Sequence, residues 1–263
     1  MYDFTTVKNR RLNGASKWTG MKKADGTPVR EDIVPLSVAD MEFVNAPEIV
    51  AHRCADEMTP YGYQNVTEGY LDAVVYWLKH RHQWTIDPEW IVISQGVVKA
   101  LNQAVKAFTK PGEGVVIMTP VYYPFYSAAA CNGTHVVENP LILCEDHYEI
   151  DFEDLKQKLA DPMNTMLILC TPHNPIGKVF TYEELKQIGE LALKYGVLIV
   201  ADEIHNDLIM PGFTHTMFPT IDKAFEENCI VCTSPSKTFN LAGMSNANII
   251  IPNQALREQY LKD

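Results

Sequence analysis

Short apolar runs alternate along the chain with longer amphipathic segments. The runs are apolar throughout instead of at every second position, which is typical of strands that are covered on both faces. They lie at residues 90–94, 114–119, 134–138, 165–171, 196–202, 229–234 and 246–251. The segments between and after them predict helices near residues 97–108, 124–132, 153–160, 182–195 and 254–262. This alternation predicts an α/β fold with a mostly parallel sheet flanked by helices.

Local signals mark one helix start and one region of different character. Thr181 can cap the helix at residues 182–195, and the two glutamates that follow it suit the positive end of the helix dipole. The first 45 residues are polar and broken by Gly and Pro. We therefore expect residues 1–45 to form an arm or part of a small domain, and residues 46–263 to form one large domain.

The charge balance and the apolar pattern exclude several classes of protein. The chain of 263 residues has 33 acidic and 22 basic residues, a net charge of −11. Nucleic acid and anionic membranes are therefore disfavoured as partners, because both are bound by clustered Lys and Arg. No apolar run approaches the roughly 18 residues that a membrane span needs, and the N-terminus lacks the apolar segment of a secretory signal. We expect a cytoplasmic protein.

The six cysteines do not form a recognisable framework. They are too sparse for a disulfide scaffold in a chain of this length. Cys229 and Cys232 have the CxxC spacing, but they lie within an apolar run that predicts a strand. Without a second pair of ligands, core packing is the better interpretation of this motif, and we expect no metal site.

Polar residues follow five of the apolar runs. In an open α/β sheet the carboxyl ends of the strands share one edge, where ligands bind. The residues there are Ser94, Gln95 and Gly96, Thr119 and Tyr122, His173 and Asn174, Asp202 and His205, and Ser234 to Lys237. Each one singly has an ordinary explanation as a turn, a helix cap, a core-edge aromatic or a surface lysine. His80 and His82 are interpreted as part of a solvated helix face.

Taken together, these motifs resemble the fold-type I enzymes that depend on pyridoxal phosphate (PLP), the aspartate aminotransferase superfamily. The resemblance runs from about residue 30 to the end and is densest in VADMEF, YGY, SQGVVKAL, TPVYYPF, TPHNPIGKVF, ADEIHNDL and TSPSKTFNLAG. The last two motifs resemble the MalY/PatB branch of cystathionine β-lyases, also called cysteine-S-conjugate β-lyases. Aminotransferases usually have Tyr where this chain has His205.

The resemblance implies a role for each residue around the cofactor ring. Lys237 would be the Schiff-base lysine and, once freed, the general base for the substrate Cα proton. Asp202 would pair with the pyridine N–H and keep the ring an electron sink. Asn174 would donate to the O3′ oxygen, Tyr122 would stack on the ring, and His205 would lie near O3′ or support the residues around it.

The resemblance also implies how the phosphate is held and how many subunits the enzyme has. Backbone N–H groups of Gly96, Val97 and Val98 and the hydroxyl of Ser234 would bind the phosphate at a helix start. Tyr61 resembles the tyrosine that reaches the phosphate of a neighbouring subunit. A homodimer with shared sites is therefore expected, in which residues 46–263 form the PLP-binding large domain.

The implied reaction is carbon–sulfur bond cleavage by α,β-elimination. Cystathionine or a related cysteine S-conjugate would give a thiol, pyruvate and ammonia. Two alternatives stay open: an aminotransferase of the same fold, since both reactions share one carbanion, and a catalytically impaired chain with a regulatory or interaction role.

Two departures from the family pattern change these expectations. Many members have Arg eight residues after the lysine to hold the phosphate, and this chain has Ser245 there. Members also continue into a small domain that supplies the arginine for the substrate carboxylate, and this chain ends before any such residue. We therefore expect a fragment or a truncated product, with weakened cofactor binding and poor catalysis.

Overall fold

A computed structural model describes residues 2–11, 13–27, 29–30, 32–56 and 65–262, with the backbone alone for residues 53–56. The helices are α1 (Ser16–Thr19), α2 (Pro47–Asp56), α3 (Glu68–His82), α4 (Val97–Phe108), α5 (Pro124–Ala130), α6 (Phe152–Ala160), α7 (Tyr182–Tyr195), α8 (Lys223–Glu227), α9 (Pro235–Thr238) and α10 (Gln254–Lys262). The strands are β1 (Ile91–Ser94), β2 (Gly114–Thr119), β3 (His135–Pro140), β4 (Ile142–Leu143), β5 (Tyr148–Glu149), β6 (Asn164–Cys170), β7 (Leu198–Asp202), β8 (Cys229–Thr233) and β9 (Ala247–Ile250).

Seven of the strands form one sheet in the order β1-β9-β8-β7-β6-β2-β3. Neighbours from β8 through β3 pair in parallel. Strand β9 runs antiparallel to both of its neighbours, β8 and β1. Strands β4 and β5 form a separate hairpin that the apolar pattern does not predict. The predicted α/β fold with a mostly parallel sheet is confirmed.

The core lies on both faces of this sheet, as the continuous apolar runs predict. Every residue of β2, β7, β8 and β9 is buried. Successive residues of a strand point to opposite faces. Val116 of β2 therefore belongs to the cluster that packs on Leu185 of α7, whereas Val115 belongs to the cluster that packs on Leu101 of α4. Cys229 and Cys232 are buried thiols of β8, as expected.

The helices begin and end where local chemistry allows. Thr181 Oγ1 accepts a hydrogen bond from Glu184 N, and the Glu184 carboxylate accepts one from Thr181 N, which is a complete capping box. Gly196 ends α7 at a left-handed φ of 70°. The predicted bounds of α4, α7 and α10 coincide with the observed ones. Within the described residues, no helix is both long and apolar enough to cross a bilayer.

Helix α3 corrects the interpretation of one histidine. His80 is exposed, but His82 is 9% exposed and its Nε2 lies 3.0 Å from Asp207 Oδ1. The pattern of α3 hides this because its buried residues are few: Leu78 and His82. The prediction of a solvated face is therefore wrong for His82.

The described part of the N-terminal region is anchored to the sheet domain. Lys17 is buried and pairs with Asp40 at 2.8 Å and with Glu42. Met41 N donates to Asn240 Oδ1, and Asn240 Nδ2 donates back to Met41 O. These bonds join positions 199 residues apart. They attach the segment next to the turn that carries Lys237.

Candidate active site

The carboxyl ends of the strands border one cavity of about 880 Å³. This volume falls within the range of small-molecule sites. The predicted site residues in the described part of the chain all line it: Gly96, Val97, Val98, Tyr122, Asn174, Asp202, His205, Ser234 and Lys237. Tyr61 lies outside the described residues. The structure therefore brings together on one cavity the side chains that follow four parallel strands and the start of α4.

Asp202 ends β7 and is a buried carboxylate at the floor of this cavity. It is 4% exposed, and its Oδ1 accepts a hydrogen bond from Ile204 N at 3.2 Å. Among the described residues, no cationic side chain forms an ion pair with it. Burial and the neighbouring charge of Glu203 raise the pKa of Asp202 to about 7, although Lys237 acts in the opposite direction. A cation placed against this carboxylate would be strongly stabilised.

Lys237 lies in the short helix α9, with its amine at the same cavity. Its Nζ donates a hydrogen bond to Ala39 O at 3.0 Å. Burial lowers the pKa of Lys237, and the carboxylates of Asp40 and Asp202 offset part of that effect. A half-buried amine with a lowered pKa is more often unprotonated, and therefore more nucleophilic, than a surface lysine.

The start of α4 offers free backbone donors to the cavity. Gly96 precedes the helix with a φ of +103°, a conformation that favours glycine. No side chain of the described residues caps this start. The first N–H groups of a helix have no partner within the helix, so those at Gly96, Val97 and Val98 are available to an anion.

Two serines, Ser234 and Ser245, lie at the same edge of the sheet as the predicted phosphate site. Ser234 Oγ donates to Asn246 O at 2.6 Å and accepts from Ser236 N at 3.0 Å, so this hydroxyl caps α9 and its proton is committed to a carbonyl. Its predicted contact with a phosphate stays a prediction. Ser245, at the position where the family resemblance leads one to expect Arg, lines the cavity with a φ of +50°.

Three further predicted site residues line the cavity: Tyr122, Asn174 and His205. Tyr122 is half-buried, and burial raises its pKa. Its backbone N donates to Asn174 O at 3.0 Å, which holds the two loops together. Burial, with a smaller contribution from Lys237, lowers the pKa of His205 to about 4, so this imidazole is neutral at pH 7.

A second cavity of about 270 Å³ adjoins the first. Both cavities share Ala39, Asn174, Pro175 and His205. The rest of its lining is largely apolar and includes Val179, Leu208, Met210 and Phe213. No local pattern marks these residues in the sequence, since they follow the strand ends at irregular distances.

Residues before the first strand also line the main cavity, among them Leu36, Val38 and Ala39. The segment that contains them overlaps VADMEF, so the family resemblance is the signal that could have found them. The contact of Ala39 uses a carbonyl, which any residue type offers. Its side chain therefore carries no information about this role.

A separate group of possible metal ligands lies on the β4–β5 hairpin. Ligand atoms of Cys144, His147 and Glu149 lie within 4.8 Å of one another. None of these residues lines the two cavities described above. The expectation of no metal site stays a prediction.

With this geometry established, comparison with known proteins places the chain in a family. Residues 32–263 match the family described as aminotransferase class I and II. The chain therefore belongs to this family. The predicted superfamily is confirmed.

Particular relatives fall in one branch. Cystathionine beta-lyase PatB of Bacillus subtilis is 45% identical over 231 residues, which cover 87% of this chain and 59% of the relative. Protein MalY of Escherichia coli is 31% identical over 263 residues, 99% of this chain and 66% of the relative. The structure of cystalysin from Treponema denticola, which contains a pyridoxal 5′-phosphate cofactor, superposes with a TM-score of 0.95 at 45% identity, covering 100% of this chain and 66% of that one. The chain thus spans 59–66% of the length of these relatives.

Proposed function

We propose that the chain carries the pyridoxal-phosphate site of a carbon–sulfur β-lyase that acts on cystathionine or a related cysteine S-conjugate. One observation carries the proposal: Asp202, a buried carboxylate that forms no ion pair among the described residues, lines the same cavity as a half-buried amine, Lys237. The names of the relatives support the reaction, since PatB is a cystathionine beta-lyase and cystalysin contains the same cofactor.

The residues present fit the cofactor at each of its polar groups. A protonated pyridine nitrogen would place a cation against the Asp202 carboxylate, which has no ion pair within the part of the chain that the structure describes. The uncapped start of α4 would hold the phosphate through the N–H groups of residues 96–98. The Lys237 amine would attach to the aldehyde carbon, and Tyr122 would pack on the ring. Asn174 and the neutral His205 would face the ring oxygen.

When bound, pyridoxal phosphate supplies an electron sink that stabilises negative charge at the substrate Cα. Once the substrate amine has replaced it at the aldehyde carbon, Lys237 Nζ would take the Cα proton, a task that its lowered pKa suits. Asp202 would give any proton it carries to the ring nitrogen and, as a carboxylate, would accept a hydrogen bond from the ring N–H and hold the ring in place. The adjoining cavity, lined by Met210 and Phe213, would offer apolar contacts to the carbon chain on the substrate sulfur. The Cβ–S bond would then break with both electrons passing to sulfur, and water would convert the remaining carbon skeleton to pyruvate and ammonia.

Capture of the cofactor by Lys237 tests the site itself. The chain is incubated with pyridoxal phosphate and reduced with borohydride, and the modified residue is located by mass spectrometry. We expect the adduct on Lys237 and its loss in Lys237→Ala. Lys99 also lines the cavity, and its Nζ donates to Gln95 Oε1, so Lys99→Ala is the matched control and should keep the adduct. An adduct that persists in Lys237→Ala would refute the assignment.

Product analysis tests the reaction. With cystathionine and no keto acid, the loaded chain is expected to release pyruvate and a thiol. An aminotransferase would instead release little of either until a keto acid is supplied and would then transfer its amino group. The second pattern would overturn the lyase assignment while leaving the cofactor site intact.

We also propose a cytoplasmic homodimer, in which residues 46–263 form the cofactor-binding domain and residues 1–45 an arm or part of a small domain. The five described cysteines are all free, as in reducing compartments. Leu36 and Tyr123 line the cavity at 95% and 77% exposure, which favours a second copy of the chain covering this rim.

Mixing two inactive variants, Lys237→Ala and Tyr61→Phe, tests whether the two subunits share their sites. Activity should be restored in the mixed dimer if sites are shared, and no restoration would contradict the shared site.

A further inference from the structure

Four hydrogen-bond donors converge on the side-chain carboxylate of Asp207. This carboxylate is buried and lies outside the main cavity. Its side chain is 6% exposed. Oδ2 accepts hydrogen bonds from Thr238 Oγ1 at 2.8 Å and Trp77 Nε1 at 3.0 Å. Oδ1 lies 3.0 Å from His82 Nε2 and 3.3 Å from Arg81 Nε. These protein donors take the place of the water that would solvate an exposed carboxylate.

These contacts keep Asp207 ionised although it is buried. Burial alone would raise the pKa of Asp207, but the hydrogen bonds of His82, Thr238 and Trp77 and the nearby His82 charge outweigh it and lower the pKa. Trp77, Arg81 and His82 all belong to α3, a helix of 15 residues. The carboxylate is therefore held by a long, rigid element, and it in turn holds Thr238.

Thr238 is the residue after Lys237 and the last residue of α9. With four residues, α9 is too short to be stable by itself. Ser234 fixes its first end by capping Ser236 N. Asp207 fixes its last end through the Thr238 hydroxyl. The lysine is thus carried on a turn that is fastened on both sides.

The segment that follows β7 contacts both halves of the proposed site. Asp202 ends β7, and Asp207 follows five residues later in the same segment. One segment therefore presents the carboxylate that would hold the ring nitrogen and also fastens the turn that presents the amine. A substitution at Asp207 would therefore change the position of the Lys237 amine relative to the Asp202 carboxylate without altering either side chain.

We propose that Asp207 is a positioning residue that sets the direction of the Lys237 amine through the hydroxyl of Thr238, with α3 as its rigid support. The inference rests on the proposed function only in taking Lys237 as the reactive amine. Asp207 itself lines neither of the two cavities described above; with Trp77 and Thr238 it borders a separate cavity of about 240 Å³.

The test compares variants that change Asp207 or one of the two donors to its Oδ2, Thr238 and Trp77. Thr238→Val deletes the hydroxyl and keeps the shape, and Thr238→Ser keeps the hydroxyl. Asp207→Asn removes the charge. Trp77→Phe is the matched control, because Trp77 donates to the same Oδ2 but belongs to α3. Each variant is measured for the rate of cofactor capture at Lys237, for the rate of acetylation of Lys237 without cofactor, and for melting temperature.

We expect Thr238→Val and Asp207→Asn to capture the cofactor about tenfold more slowly or worse, since a small misplacement of a reacting group costs up to about a hundredfold. Thr238→Ser should restore the parental rate. Trp77→Phe should lower the melting temperature and leave capture close to the parental rate. If the capture rate simply fell with the melting temperature across all variants, the proposal would be overturned. A parental capture rate in Thr238→Val would overturn it as well.

Failure of the proposed function gives a different result. If the parent chain forms no adduct at Lys237, the cofactor site is refuted. Acetylation still reports how Lys237 is presented, and the same ranking of variants in that reaction would support the positioning role. Equal acetylation of Lys237 in all variants would refute it.

Discussion

The buried carboxylate of Asp202 makes the stability of the cofactor-free chain depend on pH. Its pKa is about 7 in the folded chain and about 3.8 in the unfolded chain. Between these values the folded state keeps a proton that the unfolded state has lost. Stability therefore falls as pH rises from about 4 to 7 and then levels off, by about 1.4 kcal/mol for each unit of difference.

Asp202→Asn should remove this dependence, because an amide does not titrate. We expect the variant to be more stable than the parent at pH 8 and the difference to shrink toward pH 4. Chemical denaturation of both cofactor-free proteins over this range measures the difference. A constant difference across the range would mean that Asp202 titrates normally in the folded chain.

Gly189 of α7 gives a second prediction at the scale of one residue. A Cβ there would lie 2.5 Å from the ring of Phe225, which is 3% exposed and stacks on Phe218. Gly189→Ala should therefore destabilise the chain by about 1–3 kcal/mol through overpacking. This should hold even though alanine favours a helix by about 1 kcal/mol over glycine.

Gly69 of α3 is the matched control for that substitution. No atom lies within 4 Å of the Cβ position there. Gly69→Ala should raise stability by up to about 1 kcal/mol, because helix propensity acts alone. Urea denaturation distinguishes the two; a stabilised Gly189→Ala chain would show that the Phe225 ring moves aside at little cost.

At the scale of elements, the capping box of α7 predicts a measurable contribution to stability. Thr181→Ala removes the acceptor for Glu184 N and should cost about 1 kcal/mol. Thr181→Ser keeps the hydroxyl and should cost little. The free energy of unfolding measures both, and equal losses in the two variants would attribute the effect to the lost methyl group.

How far the elements could be predicted follows from what a pattern contains. The buried strands can be predicted because they are continuous apolar runs, and α4 and α7 can be predicted because each has a clear apolar face. Helix α3 does not, because its buried residues, Leu78 and His82, make too narrow a stripe to stand out. The direction of β9 is also hidden, because a short apolar run looks the same in either direction of the chain.

At the scale of the molecule, Lys17 joins two parts of the N-terminal segment through its ion pairs with Asp40 and Glu42. Burial alone would lower the pKa of Lys17, but Asp40 and Glu42 outweigh it and raise the pKa. Lys17→Ala would leave two partly buried carboxylates with less compensation, at a local cost of about 3 kcal/mol. We expect faster proteolysis within residues 8–45 and little change in the core strands.

Lys8→Ala is the control for that variant. The Lys8 side chain is exposed, and its backbone N–H donates to Glu42 O at 2.9 Å, a bond that survives the substitution. Limited proteolysis followed by mass spectrometry compares the two chains. Equal cleavage of Lys8→Ala and Lys17→Ala would show that the buried ion pairs do not hold the segment.

The residues around the cavity could be predicted where they follow strands, and not where distant parts of the chain meet. Asn174, Asp202 and Lys237 each come just after an apolar run, so a single rule about sheet edges finds them. Ala39 and Asp207 escape that rule. Ala39 acts through its carbonyl 198 residues from Lys237, and Asp207 acts through contacts with α3 that no spacing reveals.

The hydrogen bond from Lys237 to Ala39 has a thermodynamic consequence for the proposed site. One amine cannot hold that carbonyl and a cofactor aldehyde together, so each must weaken the other by the same free energy. Saturation with cofactor should accordingly speed amide hydrogen exchange around residues 39–41. Conversely, a substitution that strengthens the hydrogen bond between Lys237 and Ala39 would raise the cofactor concentration required for half occupancy.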